Sequence, residues 1–186
     1  MTDIDLTFPH GFVCEVLDEL NESTTARRFF PDGRAGGQDG INVRVRPEIG
    51  ETWIGTFAFG NPGKVGISRV LSMPDPAKLC VVARGAGYIV SVSDPRTWET
   101  VRAIPIIDIR VVQSAELVLF ANYTEILAYG KDGVTWRTQR LTWDGLKILS
   151  VGDRTLVGEY WDLREEGMQR FEVDLATGAA RGGIEL

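Results

Sequence analysis

Leu79-Cys80-Val81-Val82-Ala83 and Leu117-Val118-Leu119-Phe120-Ala121 decide how this chain is read. Set one above the other at an offset of 38 residues, they open a register without gaps. In it Ile89 meets Leu127, Asp94 meets Asp132, Thr97 meets Thr135, Trp98 meets Trp136 and Thr100 meets Thr138. A third copy begins near Leu146, with Leu156-Val157-Gly158-Glu159-Tyr160 in the place of residues 117–121. It carries about four extra residues before Asp174 takes the place of Asp132. A period of this length sets the architecture, because one unit cannot bury its apolar face without the next.

Within the middle copy the apolar runs are residues 106–112, 116–121, 124–129 and 134–140. Their β-branched and aromatic content at this length predicts strands rather than helical turns. Gln113-Ser114-Ala115, Asn122-Tyr123 and Gly130-Lys131-Asp132-Gly133 break them. Gly133, and Gly178 in Ala176-Thr177-Gly178, supply the positive φ that a tight hairpin needs. The expected fold is all-β within a single domain of residues 1–186. Three four-stranded antiparallel sheets of about 38 residues occupy 66–104, 105–143 and 144–186, after an N-terminal β region of residues 1–65.

The unit resembles the blades of β-propellers, of the WD40 and pyrroloquinoline-quinone-repeat sort. The likeness is carried by residues 128–136, Ala-Tyr-Gly-Lys-Asp-Gly-Val-Thr-Trp, and by residues 171–178, Phe-Glu-Val-Asp-Leu-Ala-Thr-Gly. It covers roughly residues 66–186 and implies propeller-like blades. The Gly-His and Trp-Asp pair of a WD40 repeat is missing, and no quinone site carries over.

Propellers close with about four to eight blades, so three sheets leave edges that invite pairing. The N-terminal region supplies further strands. Residues 4–8 and 12–16 flank Pro9-His10-Gly11 as an expected hairpin, and residues 41–46 and 52–59 read as strands. They close the fold either as a fourth sheet in the same chain or by pairing between two chains. Between them Ser23–Phe30 reads as a short helix with Ser23 as N-cap. The glycine-rich loop of residues 31–40 follows. As a nest for an anion it would use Arg34 and Arg28, but no phosphate-loop spacing frames it. It is expected to be a linking loop.

Scarce residues exclude much. One histidine, His10, and two cysteines, Cys14 and Cys80, lack the spacing of a zinc site. His10 would be the only base for a Ser-His-Asp or Cys-His mechanism, and its Pro-His-Gly setting reads as a turn. No cofactor and no metal are expected. A formal charge of −6 argues against non-specific nucleic-acid binding. No apolar run approaches the roughly 18 residues of a membrane span. The N-terminus has neither the basic nor the apolar part of a secretory signal. The expected compartment is the cytoplasm, with both thiols reduced. Charge is uneven: residues 1–24 carry six acidic side chains and no basic one, and 16 of the 20 basic residues are Arg. Opposite charges neutralising one another on the surface account for this pattern.

With strands placed in this way, one loop face is expected to carry Arg84, Asn122, Tyr123, Trp143, Asp144, Tyr160, Trp161, Asp162 and Arg164. Aromatics mixed with forked donors and carboxylates suit a protein partner or a polar small molecule. Trp143 and Tyr160 also fit a packing role. Trp98 and Trp136, at matching positions, are expected to pack equivalently between sheets. Asp108 and Arg110 share one side of a strand, and superposing the copies brings Lys147 near Asp108. A polar channel and an ion pair between sheets both account for that. The leading expectation is a non-enzymatic protein-binding or scaffolding module. Its partner is another protein or a second copy, and a homodimer is one form of that. The alternatives are a carboxylate-dependent hydrolase or lyase using Asp144 and Asp162 on a small polar substrate, and an acidic immunity- or antitoxin-type inhibitor.

Overall fold

The computed structural model describes residues 2–20, 25–32, 39–60 and 66–184. Among them there are 17 strands and no α-helix, arranged in four sheets, none closed on itself. The chain divides into two units, Met1–Ile104 and Pro105–Leu186.

The first unit holds β1 (Asp3–Asp5), β2 (Phe12–Leu17), β3 (Ala26–Phe30), β4 (Gly40–Pro47), β5 (Trp53–Ala58), β6 (Arg69–Ser72), β7 (Lys78–Ala83), β8 (Ala86–Ser91) and β9 (Trp98–Thr100). They form two sheets, ordered β1-β6-β7-β8-β9 and β2-β4-β5-β3. Inward residues of both, among them Val43, Val45, Phe57, Leu79 and Val81, make one core. β5 and β7 are buried almost end to end, which explains why their sequences read as continuous apolar runs. Trp53 ties the sheets together by donating its indole N–H to the Val92 carbonyl at 2.8 Å.

Two expectations for this region are corrected. The hairpin of residues 4–8 and 12–16 does not form. β1 instead runs parallel to β6, with Asp3 opposite Arg69 and bonded to it at 3.2 Å, while β2 pairs with β4. Between β1 and β2 the chain only bends, at Phe8 and Gly11: His10 Nδ1 lies 2.9 Å from the Phe8 carbonyl, and the Gly11 carbonyl accepts from Glu48 N–H. The short helix is a strand over its described part, because β3 runs parallel to β5. Phe30 is fully buried there, its ring stacked on Phe57 at 4.6 Å. Burial of that ring overrides a weak helical preference. Ser23, the expected cap, lies outside the described residues, as do Arg34 and most of the glycine-rich loop. Arg28 stands on β3 with its Nε buried and without a hydrogen-bond partner among the described residues.

The second unit holds β10 (Asp108–Val112), β11 (Leu117–Ala121), β12 (Ile126–Gly130), β13 (Gly133–Arg137), β14 (Lys147–Val151), β15 (Thr155–Asp162), β16 (Gly167–Asp174) and β17 (Ala180–Gly182). Each set of four forms an antiparallel sheet in chain order. Residues 113–115 make one turn of 3-10 helix before β11. Trp136 joins the two sheets: its indole N–H donates to the Leu175 carbonyl at 2.7 Å, and its ring lies against Gly178. Gly178 has φ +72°, and a Cβ there would stand 2.8 Å from the ring, so both space and backbone call for glycine.

Trp136 therefore repeats the joint made by Trp53, each indole donating to a carbonyl 39 residues onward. Trp98 does pack edge-on against Phe30 of the other sheet in its unit, but its indole donates to the exposed Asp32 carboxylate at 3.1 Å. Both tryptophans stand on the edge strand of their sheet, but Trp98 is only half-buried whereas Trp136 is buried. Arg110 holds Asp108 at 2.9 Å along β10 and reaches the Ile148 carbonyl on β14 at 3.3 Å. Lys147 pairs with Glu159 at 2.8 Å, not with Asp108, because the register of β14 and β15 sets those two opposite each other. Cys80 is buried in β7, and burial pushes its thiol far above the usual range. Burial also pushes the half-buried Cys14 thiol up to about 11.

Candidate functional site

Eight of the nine expected site residues lie in the second unit, and Arg84 lies in the first. Asn122 closes the turn from β11 to β12. Its Oδ1 accepts from Thr124 N–H at 2.8 Å, Glu125 N–H at 2.9 Å and the Thr124 hydroxyl at 3.2 Å. Asp162 does the same at the turn from β15 to β16, accepting from Arg164 N–H at 2.7 Å and Glu165 N–H at 3.3 Å. Short polar side chains favour such turns because they bond the backbone two and three residues on. Those donors, Arg164 N–H first, hold the Asp162 carboxyl below its ordinary value. That keeps Asp162 ionised, the opposite of what a general acid needs.

Tyr160 is a core residue, tilted against Phe171 with its hydroxyl 3.4 Å from Asp162. Burial first, and the Asp162 charge second, push its phenol up. Trp143 is 48% exposed and carries the Arg140 guanidinium over its ring at 4.9 Å. Arg140 also donates to the Thr142 and Trp143 carbonyls, which pins that loop. The Asp144 N–H donates to the Thr142 hydroxyl, so its backbone is fixed while its side chain is exposed. Tyr123 is partly exposed, and its carbonyl accepts from Leu146 N–H.

Trp143, Asp162 and Arg164 line one notch of about 220 Å³ with Glu165, Gly183 and Ile184. Beside Asp162 the long β15–β16 hairpin exposes an apolar tip. Trp161 is directly opposite Met168 in register, and Leu163 caps the turn. Their exposures are 49%, 52% and 70%. Sequence reasoning named Trp161 but missed Leu163, Met168 and Arg140. The extra residues of the third copy were the signal, since they lengthen this hairpin beyond the sheet.

Arg84 occupies the two-residue turn between β7 and β8, where Arg84 and Gly85 both have positive φ, +45° and +84°. It lies beside a cleft of about 530 Å³ formed at the ends of the first unit's strands by Leu17, Asp18, Asn42, Phe59, Ser68 and neighbours. Ligand pockets typically measure about 300–1,000 Å³. The cleft at Arg84 falls inside that range, and the notch beside the β15–β16 tip falls below it. Among the described residues no group of three or more His, Cys, Asp or Glu side chains is placed to hold a metal ion. No helix among them is long and apolar enough to cross a membrane.

No family model matches the chain, and no curated protein matches it significantly. Among solved structures it is similar to a chain of a variant S. cerevisiae complex of Dbp5 bound to Nup159, Gle1, IP6 and ADP. The TM-score is 0.42 at 10% identity, covering 92% of this chain and 49% of that one. This chain spans about half the length of that neighbour, and a likeness so slight carries no argument.

Proposed function

We propose that the chain is a non-enzymatic protein-binding module on propeller-like blades, and that the β15–β16 tip is its contact surface. The observation that carries the reading is the apolar cluster Trp161, Leu163 and Met168 standing in solvent beside Arg164 and Glu165. A single exposed apolar residue is ordinary, but a contiguous group with a polar rim marks an interaction surface. Aromatic and Arg side chains at the centre of such a patch supply most of the energy of an interface. The adjacent notch is too small for a typical ligand, which favours a macromolecular partner. The same strand order in sheets β10–β13 and β14–β17, matched by β6–β9, supports the blade reading.

A photo-crosslinking side chain at Leu163 tests it in the cells that make the protein. The expected result is one discrete adduct, of a partner or of a second copy, that vanishes when Tyr123, Trp161 and Arg164 are changed together to Ala. The same probe at Val134, also exposed in the second unit, should give none. No adduct at 163, or an equal one at 134, sinks the assignment.

A further inference from the structure

The first-unit cleft breaks a local rule at Arg84. Two-residue turns with positive φ at both positions favour Asn, Asp and Gly, because a Cβ crowds the carbonyl oxygen and only Asn and Asp offset this by bonding locally to the backbone. Here an arginine takes the first position at φ +45°. The neighbours hold it there: a Cβ on Gly66 would stand 2.6 Å from the Arg84 carbonyl carbon, and the Arg84 N–H donates to Ser68 Oγ at 3.1 Å. Strain enforced from several sides is characteristic of sites that need a side chain in one place.

The side chain so placed is half-buried and pairs with no carboxylate among the described residues. Its guanidinium carbon lies over the Phe59 ring, 3.9 Å from the centroid. No hydrogen bond or ion pair engages its N–H groups among the described residues. The neighbouring lining adds more donors. Asn42 Oδ1 already accepts from the Thr56 hydroxyl at 2.8 Å, which leaves the Asn42 amide N–H₂ without a partner among the described residues. Asp18 is the one carboxylate among the described lining residues, and it is exposed.

We propose that this cleft binds a small organic monoanion through its carboxylate, with Arg84 as the selecting charge. The flat guanidinium fork matches a carboxylate in two parallel hydrogen bonds. A single cation balances a single negative charge, and Asp18 repels a second. Val16 and Leu17 border the same space and suit a short hydrocarbon tail. The cleft lies in the first unit and the hairpin tip in the second.

The test is a titration of the full chain, with ¹⁵N-arginine, by sodium butyrate and by its neutral analogue butyramide. The Arg84 Nε–H signal is identified by its loss in Arg84→Asn, a residue that tolerates the turn. Butyrate is expected to move that signal saturably, butyramide is not, and Arg84→Asn should weaken binding about tenfold or more while unfolding no lower than the parent. If that variant fails to fold, Arg84→Gly replaces it. No saturable shift, an equal shift with butyramide, or binding retained without Arg84 overturns the proposal. A tighter response to inorganic phosphate than to butyrate overturns the monocarboxylate assignment.

Discussion

The hairpins β11–β12 and β15–β16 occupy equivalent places in adjacent sheets of the second unit, yet they spend their residues differently. In β11 all five side chains are buried, and the strand stops at Ala121. In β15 burial alternates, and the strand runs on to Asp162. At the centre the two pairs exchange sizes. Leu119 faces Ala128 in the first, whereas Gly158 faces Phe171 in the second. Gly158 has no Cβ because the Phe171 ring lies across it. The interior keeps its filling with a different partition, as close packing requires. At the tips, Asn122 and Asp162 close their turns by the same bonds. Only the second hairpin continues outward and leaves Trp161, Leu163 and Met168 uncovered.

The largest effects should come from breaking that size exchange. Phe171→Ala is expected to cost about 3–5 kcal/mol, since it empties a fully buried aromatic site. Gly158→Leu is expected to cost at least about 1–3 kcal/mol, because the new side chain meets the Phe171 ring. The double variant, carrying Leu opposite Ala as in β11 and β12, should recover much of the combined loss in denaturant unfolding. Strict additivity would show that the two hairpins are not packed on one plan.

The turns should separate next. Asn122 is buried, with three accepted bonds, so Asn122→Ala is expected to lose about 1–3 kcal/mol. Asp162 adds a dependence on pH. Its folded-state pKa lies below the unfolded one, so its stabilisation is fully present above the unfolded value of about 3.9 and drains as pH falls through the folded value. The difference in Tm between the parent and Asp162→Asn should therefore shrink between about pH 6 and about pH 3. A constant difference would mean that the turn uses Asp162 for its shape and not its charge.

The smallest effect is expected at the tip. Trp161→Ser and Met168→Ser should each shift stability by about 0.5 kcal/mol or less. A loss comparable to that of Phe171→Ala would show that the tip belongs to the core and is not held for a partner.

The repeat alone carried the all-β reading. Apolar runs of five to eight residues between Gly, Asp and Asn leave few structures open, because the alternation and the turn chemistry are local properties. Gly133 and Gly178, singled out as turn residues, have the positive φ that their hairpins need. Other features were settled only at distances no local pattern encodes. β1 lies beside β6 some 66 residues away, and Phe30 draws β3 into a strand by stacking on Phe57. The same divide runs through the candidate sites. Asn122, Asp162 and Tyr160 stand out in the sequence as polar or aromatic loop residues, but folding commits their polar atoms to turns or buries their rings. Which side chains stay free depends on what the sheets leave uncovered. That is a property of packing, and it is why Leu163, Met168 and the Arg84 guanidinium, which has no ion pair among the described residues, emerge only in three dimensions.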